Sequence, residues 1–174
     1  MSRPLLAAAA ALLACLSTAA AVAHDGRERV EARLSGYDEV TSALSTTGKG
    51  RFKASVDRVS GSIAYELSYA GLEGTVTMAH LHFGRRGLNG GIMVWLCQTT
   101  TNPDPNNASP TCPASGSVGG LIQSQNVIGP AAQGIAPGEF AELLVAIRAG
   151  AVYVNVHSSK YPGGEIRGQL RDDD

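Results

Sequence analysis

Alternation of apolar and polar residues restricts what this chain can fold into more tightly than any motif. In Arg51-Phe52-Lys53-Ala54-Ser55-Val56-Asp57 the apolar residues recur at every second position. That is the period of a half-buried β-strand, whose successive side chains point to opposite faces. The next segment repeats the pattern: Ile63, Tyr65, Leu67 and Tyr69 share one face, and Ser62, Glu66 and Ser68 the other. Residues 57–61 (DRVSG) between them have the composition of a hairpin turn, so the two strands pair antiparallel. Residues 76–83 and 92–96 are further strand candidates, separated by the glycine-rich turn 84–91 (GRRGLNGG).

One helix interrupts the strands. Pro137 near its start, Glu139 in the first turn, Phe140, Leu143, Leu144 and Ile147 at helical spacing, and Gly150 as terminator predict an amphipathic helix over 138–149. Strand alternation then resumes, with Val152, Val154 and Val156 set against Tyr153, Asn155 and His157. The turn Tyr161-Pro162-Gly163-Gly164 leads into residues 165–170 (EIRGQL), and residues 171–174 (RDDD) read as a solvated tail. Seven or so short strands with glycine-rich turns and one short helix predict an all-β fold, an antiparallel Greek-key sandwich or barrel. The 174 residues leave room for one domain. A formal net charge of −1 provides no cationic surface for nucleic acid, and 44% hydrophobic with 17% charged residues is too apolar for a disordered chain.

The first 23 residues read as an export signal. Arg3 supplies the positive end, the run from Pro4 to Leu16 is apolar and alanine-rich, and Ala21-Val22-Ala23 has the small-x-small pattern of a cleavage site. The mature chain is then residues 24–174, periplasmic or secreted, with no transmembrane span. Leu12-Leu13-Ala14-Cys15 also resembles a lipobox, in which Cys15 would carry a lipid anchor. Removal of the leader leaves Cys97 and Cys112, an even pair in an oxidising compartment, and predicts a disulfide closing the polar loop 98–111. Asn107-Ala108-Ser109 is a glycosylation sequon for a host that uses it.

Three of the four histidines fall in strand candidates: His80 and His82 in Ala79-His80-Leu81-His82, and His157 in Val154-Asn155-Val156-His157. Positions i and i+2 of a strand face the same way, about 7 Å apart, so two imidazoles can converge on one ion. A third from a neighbouring strand completes a three-nitrogen site that suits copper or zinc, with copper favoured by the usual order of divalent affinities. The same residues equally fit a buried hydrogen-bonded cluster, with Glu165 and Arg167 as partners. Those two residues also allow an ion pair or cross-strand contact, or, with Asn155, a contact surface for an anion or organic ligand. His24, at the predicted mature terminus, has an amine and an imidazole that could chelate copper together. Ser158 adjoins His157 but points to the opposite face, so the two make no nucleophile and base pair. No phosphate-binding loop or nucleophile elbow appears.

Several segments together carry a resemblance to a known family. They are Leu34-Ser35-Gly36 with Asp38-Glu39-Val40, Ala79-His80-Leu81-His82-Phe83-Gly84 followed by Gly90-Gly91-Ile92, Arg148-Ala149-Gly150 leading to Tyr153-Val154-Asn155-Val156-His157-Ser158, and Pro162-Gly163-Gly164-Glu165-Ile166-Arg167-Gly168-Gln169-Leu170. These resemble the CHRD domain, first described in the extracellular protein chordin and also found alone in bacterial exported proteins. Thr41 and Ser158 stand where most members have Pro and Thr. The resemblance spans about residues 30–170 and implies an immunoglobulin-like β-sandwich or barrel and a non-enzymatic binding or structural module, its protein or small-molecule partner unidentified. A looser similarity is to Cu/Zn superoxide dismutase, which implies His80, His82 and His157 as copper ligands and Arg167 as an anion guide in a copper carrier or redox enzyme. No residue pair supplies that enzyme's bridging histidine and zinc subsite.

Overall fold

The hairpin written into residues 51–69 is the middle of one half of the sheet. A computed structural model describes residues 28–173; the leader, Cys15 and His24 lie outside the described residues. The described residues form nine strands: β1 (Glu28–Ser35), β2 (Lys49–Asp57), β3 (Ser62–Ala70), β4 (Val76–Phe83), β5 (Ile92–Cys97), β6 (Gly116–Ile122), β7 (Val152–Ser158), β8 (Ile166–Gln169) and β9 (Arg171–Asp172). They also form one α-helix, α1 (Phe140–Arg148), which precedes β7. The alternation works as read. Phe52, Ala54 and Val56 of β2 and Ile63, Tyr65, Leu67 and Tyr69 of β3 are buried, while Lys53, Ala64 and Glu66 are exposed. The turn between them is held by Asp57, whose carboxylate accepts the backbone N–H groups of Val59 and Ser60. Gly61 takes the positive φ of 62° that closes it.

Neighbouring strands run in the order β5-β4-β7-β8-β1-β2-β3-β6, all antiparallel, with β9 continuing along the β8 edge of β1. The β8 to β1 joint is one register pair, Ser35 with Arg167. Here the sheet turns over on itself, and its two ends meet: β5 packs against β6, and the Tyr65 hydroxyl donates to the Leu96 carbonyl at 2.6 Å. The result is a nearly closed antiparallel barrel-like sandwich. Phe52, Leu67, Leu81, Leu96, Val154 and Ile166 fill it from all sides, and each such side chain taken out of water contributes about 1.5–3 kcal/mol. Helix α1 covers one end with Leu143, Ala146 and Ile147.

Three details differ from the pattern in the sequence. The helix runs over 140–148, shorter than 138–149, because the Glu139 side chain turns back to accept the Ala136 N–H and Glu139 does not have helical angles. Residues 116–122 (GSVGGLI), with three glycines, carry no strand signal yet form β6 along β3. The glycines are there for room: a Cβ on Gly120 would sit 2.9 Å from the Tyr65 ring, and one on Gly119 2.9 Å from the Tyr65 carbonyl oxygen. The acidic end is not a free tail. Arg171 and Asp172 pair with Glu31 and Val30, the Asp173 N–H donates to Arg29, and Arg171 reaches Glu31 at 2.7 Å.

Cys97 at the end of β5 is bonded to Cys112, fifteen residues on. Inside the loop, the buried Asp104 carboxylate gathers the N–H groups of Asn106, Ala108 and Ser109. Opening a loop of this length costs about 3 kcal/mol through the freedom returned to the unfolded chain. Cys97→Ala/Cys112→Ala should therefore lower the urea midpoint by an amount worth about 3 kcal/mol, and reductant should shift the wild type but not the double variant.

Candidate metal centre

Strand β7 decides where the polar chemistry goes. All seven of its residues are buried. Val152, Val154 and Val156 face the apolar core, so Tyr153, Asn155 and His157 must lie on the other side of the sheet. Residues opposite one another in an antiparallel ladder share a face. Met78 is paired with His157, His80 with Asn155 and with Trp95 of β5, and His82 with Tyr153. The histidines of β4 and β7 thus occupy one patch of the outer face, roofed by segments 84–91 and 160–165.

His80, His82 and His157 are 0%, 8% and 6% exposed, and one ring nitrogen from each lies within 4.8 Å of the other two. Their surroundings settle which nitrogens are bare. His82 Nδ1 is 3.0 Å from the Gly90 carbonyl and His157 Nδ1 is 2.9 Å from the Pro162 carbonyl. A carbonyl only accepts, so both Nδ1 atoms carry the proton and both Nε2 atoms present lone pairs. His80 Nδ1 lies 3.3 Å from His157 Nε2 and donates to it. His80 Nε2 and His82 Nε2 are buried with no hydrogen-bond partner. Trp95 meets His80 edge-on at 4.2 Å, and Tyr153 stacks on His82 at 4.7 Å with rings nearly parallel.

The other candidates surround this group without hydrogen-bonding to it. Arg167 lies over the Tyr153 ring, its guanidinium carbon 3.4 Å from the centroid, and donates to Asn89 Oδ1 and the Leu88 carbonyl. Glu165 is fully buried on a different errand, accepting the Thr46 hydroxyl and the Glu73 N–H, each at 2.7 Å. Glu165 and Arg167 neither pair with each other nor supply the imidazole partners; backbone carbonyls do that. Asn155 donates to Glu39 Oε1 at 2.6 Å and to the Ile166 carbonyl. Sequence reasoning missed Tyr153, Trp95, Glu39 and the carbonyls of Gly90 and Pro162 as parts of this site. The alternation in β7 carried the signal for Tyr153; the carbonyls belong to loops and leave no side-chain signature.

Burial dominates the electrostatics. It pushes His80 down to about 2 and His82 to about 4, and lowers His157 as well; the rings' mutual proximity adds to the shift of the first two. All three are neutral in the folded protein at pH 7. The unfolded chain takes up protons below about pH 6.5 that the folded cluster refuses, so the cluster's contribution is whole above that pH and lost as pH falls, by about 1.4 kcal/mol per unit for each histidine. Burial raises Glu39, which works in the opposite direction. The melting temperature of the metal-free protein should fall between pH 7.5 and pH 5, and fall less steeply in His80→Gln; equal slopes would remove the histidines as the cause.

Neither a curated protein nor a solved structure matches the chain. The chain does match the CHRD domain family over residues 30–170, a stretch that begins in β1, ends between β8 and β9, and contains the three histidines and all the residues that brace them. The protein therefore belongs to the CHRD domain family.

Proposed function

We propose that the protein is an exported, non-enzymatic CHRD-domain module that holds one metal ion of the copper or zinc class between His80, His82 and His157. The observation that carries this reading is that one ring nitrogen from each of the three buried imidazoles lies within 4.8 Å of the other two, with the Nε2 atoms of His80 and His82 left without a hydrogen-bond partner. A buried polar atom without a partner costs about 1–3 kcal/mol, and a cation is the partner that imidazole lone pairs accept. An ion would take the His157 Nε2 lone pair in place of the His80 Nδ1–H, 3.3 Å away, that it accepts without metal. The carbonyls on His82 and His157 orient the rings as outer partners do in metal sites. Export is supported by the leader and by the Cys97–Cys112 bond. Among the described residues no helix is long and apolar enough to cross a membrane.

Superoxide chemistry fits less well. It needs an open position where an anion reaches the metal, whereas all three imidazoles are buried beneath loops. Arg167, assigned as anion guide by that similarity, is buried over Tyr153 and gives one donor each to Asn89 and the Leu88 carbonyl. Asn155 donates to Glu39 and Ile166, and Glu165 accepts Thr46 and Glu73 through Oε1 alone.

The test uses residues 24–174 purified without tag histidines. After loading with copper or zinc and dialysis, elemental analysis should find one equivalent retained, and none in His82→Ala of unchanged circular dichroism. Trp95 is the only tryptophan and lies against His80, so copper should quench its fluorescence stoichiometrically. A folded wild type that retains neither metal would leave the cluster as architecture.

A further inference from the structure

Charge and donor type decide which ion a set of three buried imidazoles prefers. Resting on the three-histidine metal site proposed above, we infer that the site is built for a monovalent soft cation, copper(I), and that the Met78 thioether belongs to its donor set. The ligands are three neutral imidazoles, and among the described residues no carboxylate or thiolate joins their group. Glu39 approaches the same face but delivers Oε1 to the Asn155 amide. The fixed charge nearest by stacking is a cation: Arg167 lies on Tyr153, and Tyr153 lies on His82.

A dication here would be buried with no anion to neutralise it and would meet the Arg167 charge at double strength. Desolvation grows with the square of charge, so the burial cost falls about fourfold for a monovalent ion. Zinc also asks for a fourth ligand, usually a water in an open position. Copper(I) is satisfied by fewer, softer donors, and a thioether is one that selects it. The ladder places Met78 directly opposite His157, two residues before His80, on the face that carries the cluster. Met78 is only half-buried, so its flexible side chain is free to turn toward the histidines.

The experiment holds residues 24–174 under ascorbate with copper(I) and titrates with the copper(I) chelator bicinchoninate. Zinc is competed off in parallel with a zinc chelator of known affinity. The expected result is copper(I) bound at least about a hundredfold more tightly than zinc, and a Met78→Leu variant that loses about tenfold in copper(I) affinity while zinc binding stays unchanged. Circular dichroism and melting temperature show that this near-isosteric variant is folded. Zinc bound as tightly as copper(I) would overturn the inference and leave the metal site standing. Unchanged copper(I) affinity in Met78→Leu would remove the thioether from the donor set. Failure of the folded wild type to bind either ion would remove the metal site itself, and this inference with it.

Discussion

Strand β7 is buried on both faces, and its neighbours are arranged around that fact. It sits between β4 and β8 with valines against the core. Its other face would be half-exposed in an ordinary sandwich, and alternation there normally delivers polar residues to water. Here that face is polar and still buried. Every polar group on it must then find a partner inside the protein, and the roof segments supply Gly90 for His82 and Pro162 for His157, while Glu39, just after β1, serves Asn155. Two nitrogens are left over, on His80 and His82, beside the equally unpartnered Nε1 of Trp95.

The same burial sets the chemistry. Water is kept from around the imidazoles, so their charged forms are penalised and the cluster presents lone pairs at neutral pH without any base to remove protons. A carboxylate beside any of the rings would raise its proton affinity and make metal compete with protons. Carbonyls orient the rings without adding charge, which keeps a cation as the group's natural complement.

Much of this was legible in the sequence, and what was missed has physical reasons. The hairpin of β2 and β3, the helix, the disulfide pair and the three histidines all follow from side-chain type and spacing, which are local. Strand β6 was hidden because its glycines answer to the Tyr65 ring, a contact made across the sheet. The acidic terminus read as solvated because its side chains are exposed; its ladder with β1 is made by backbone groups, helped by Arg171 and Glu31. Glu165 and Arg167 share a strand face by spacing alone, but Gly164 and the turn before it end regular pairing at Ile166 and send Glu165 to Thr46 and Glu73. Spacing tells which side a residue leaves the strand; it does not tell which loop will meet it there.

The glycine-rich turn 84–91 shows how far a loop can govern a metal site to which it contributes no imidazole. Arg167 grips it from beneath through Leu88 and Asn89. One residue later, the Gly90 N–H donates to the Tyr153 hydroxyl while the Gly90 carbonyl holds His82. A Cβ on Gly90 would fall 1.6 Å from the Phe83 carbonyl oxygen, and one on Gly91 2.5 Å from Pro130. The glycines are therefore what lets the loop lie flat enough for one residue's backbone to touch both the phenol and the imidazole. Arg167, Tyr153 and His82 form a single stack whose two ends are tied to that loop, so its position and the ligand geometry of His82 are one mechanical variable.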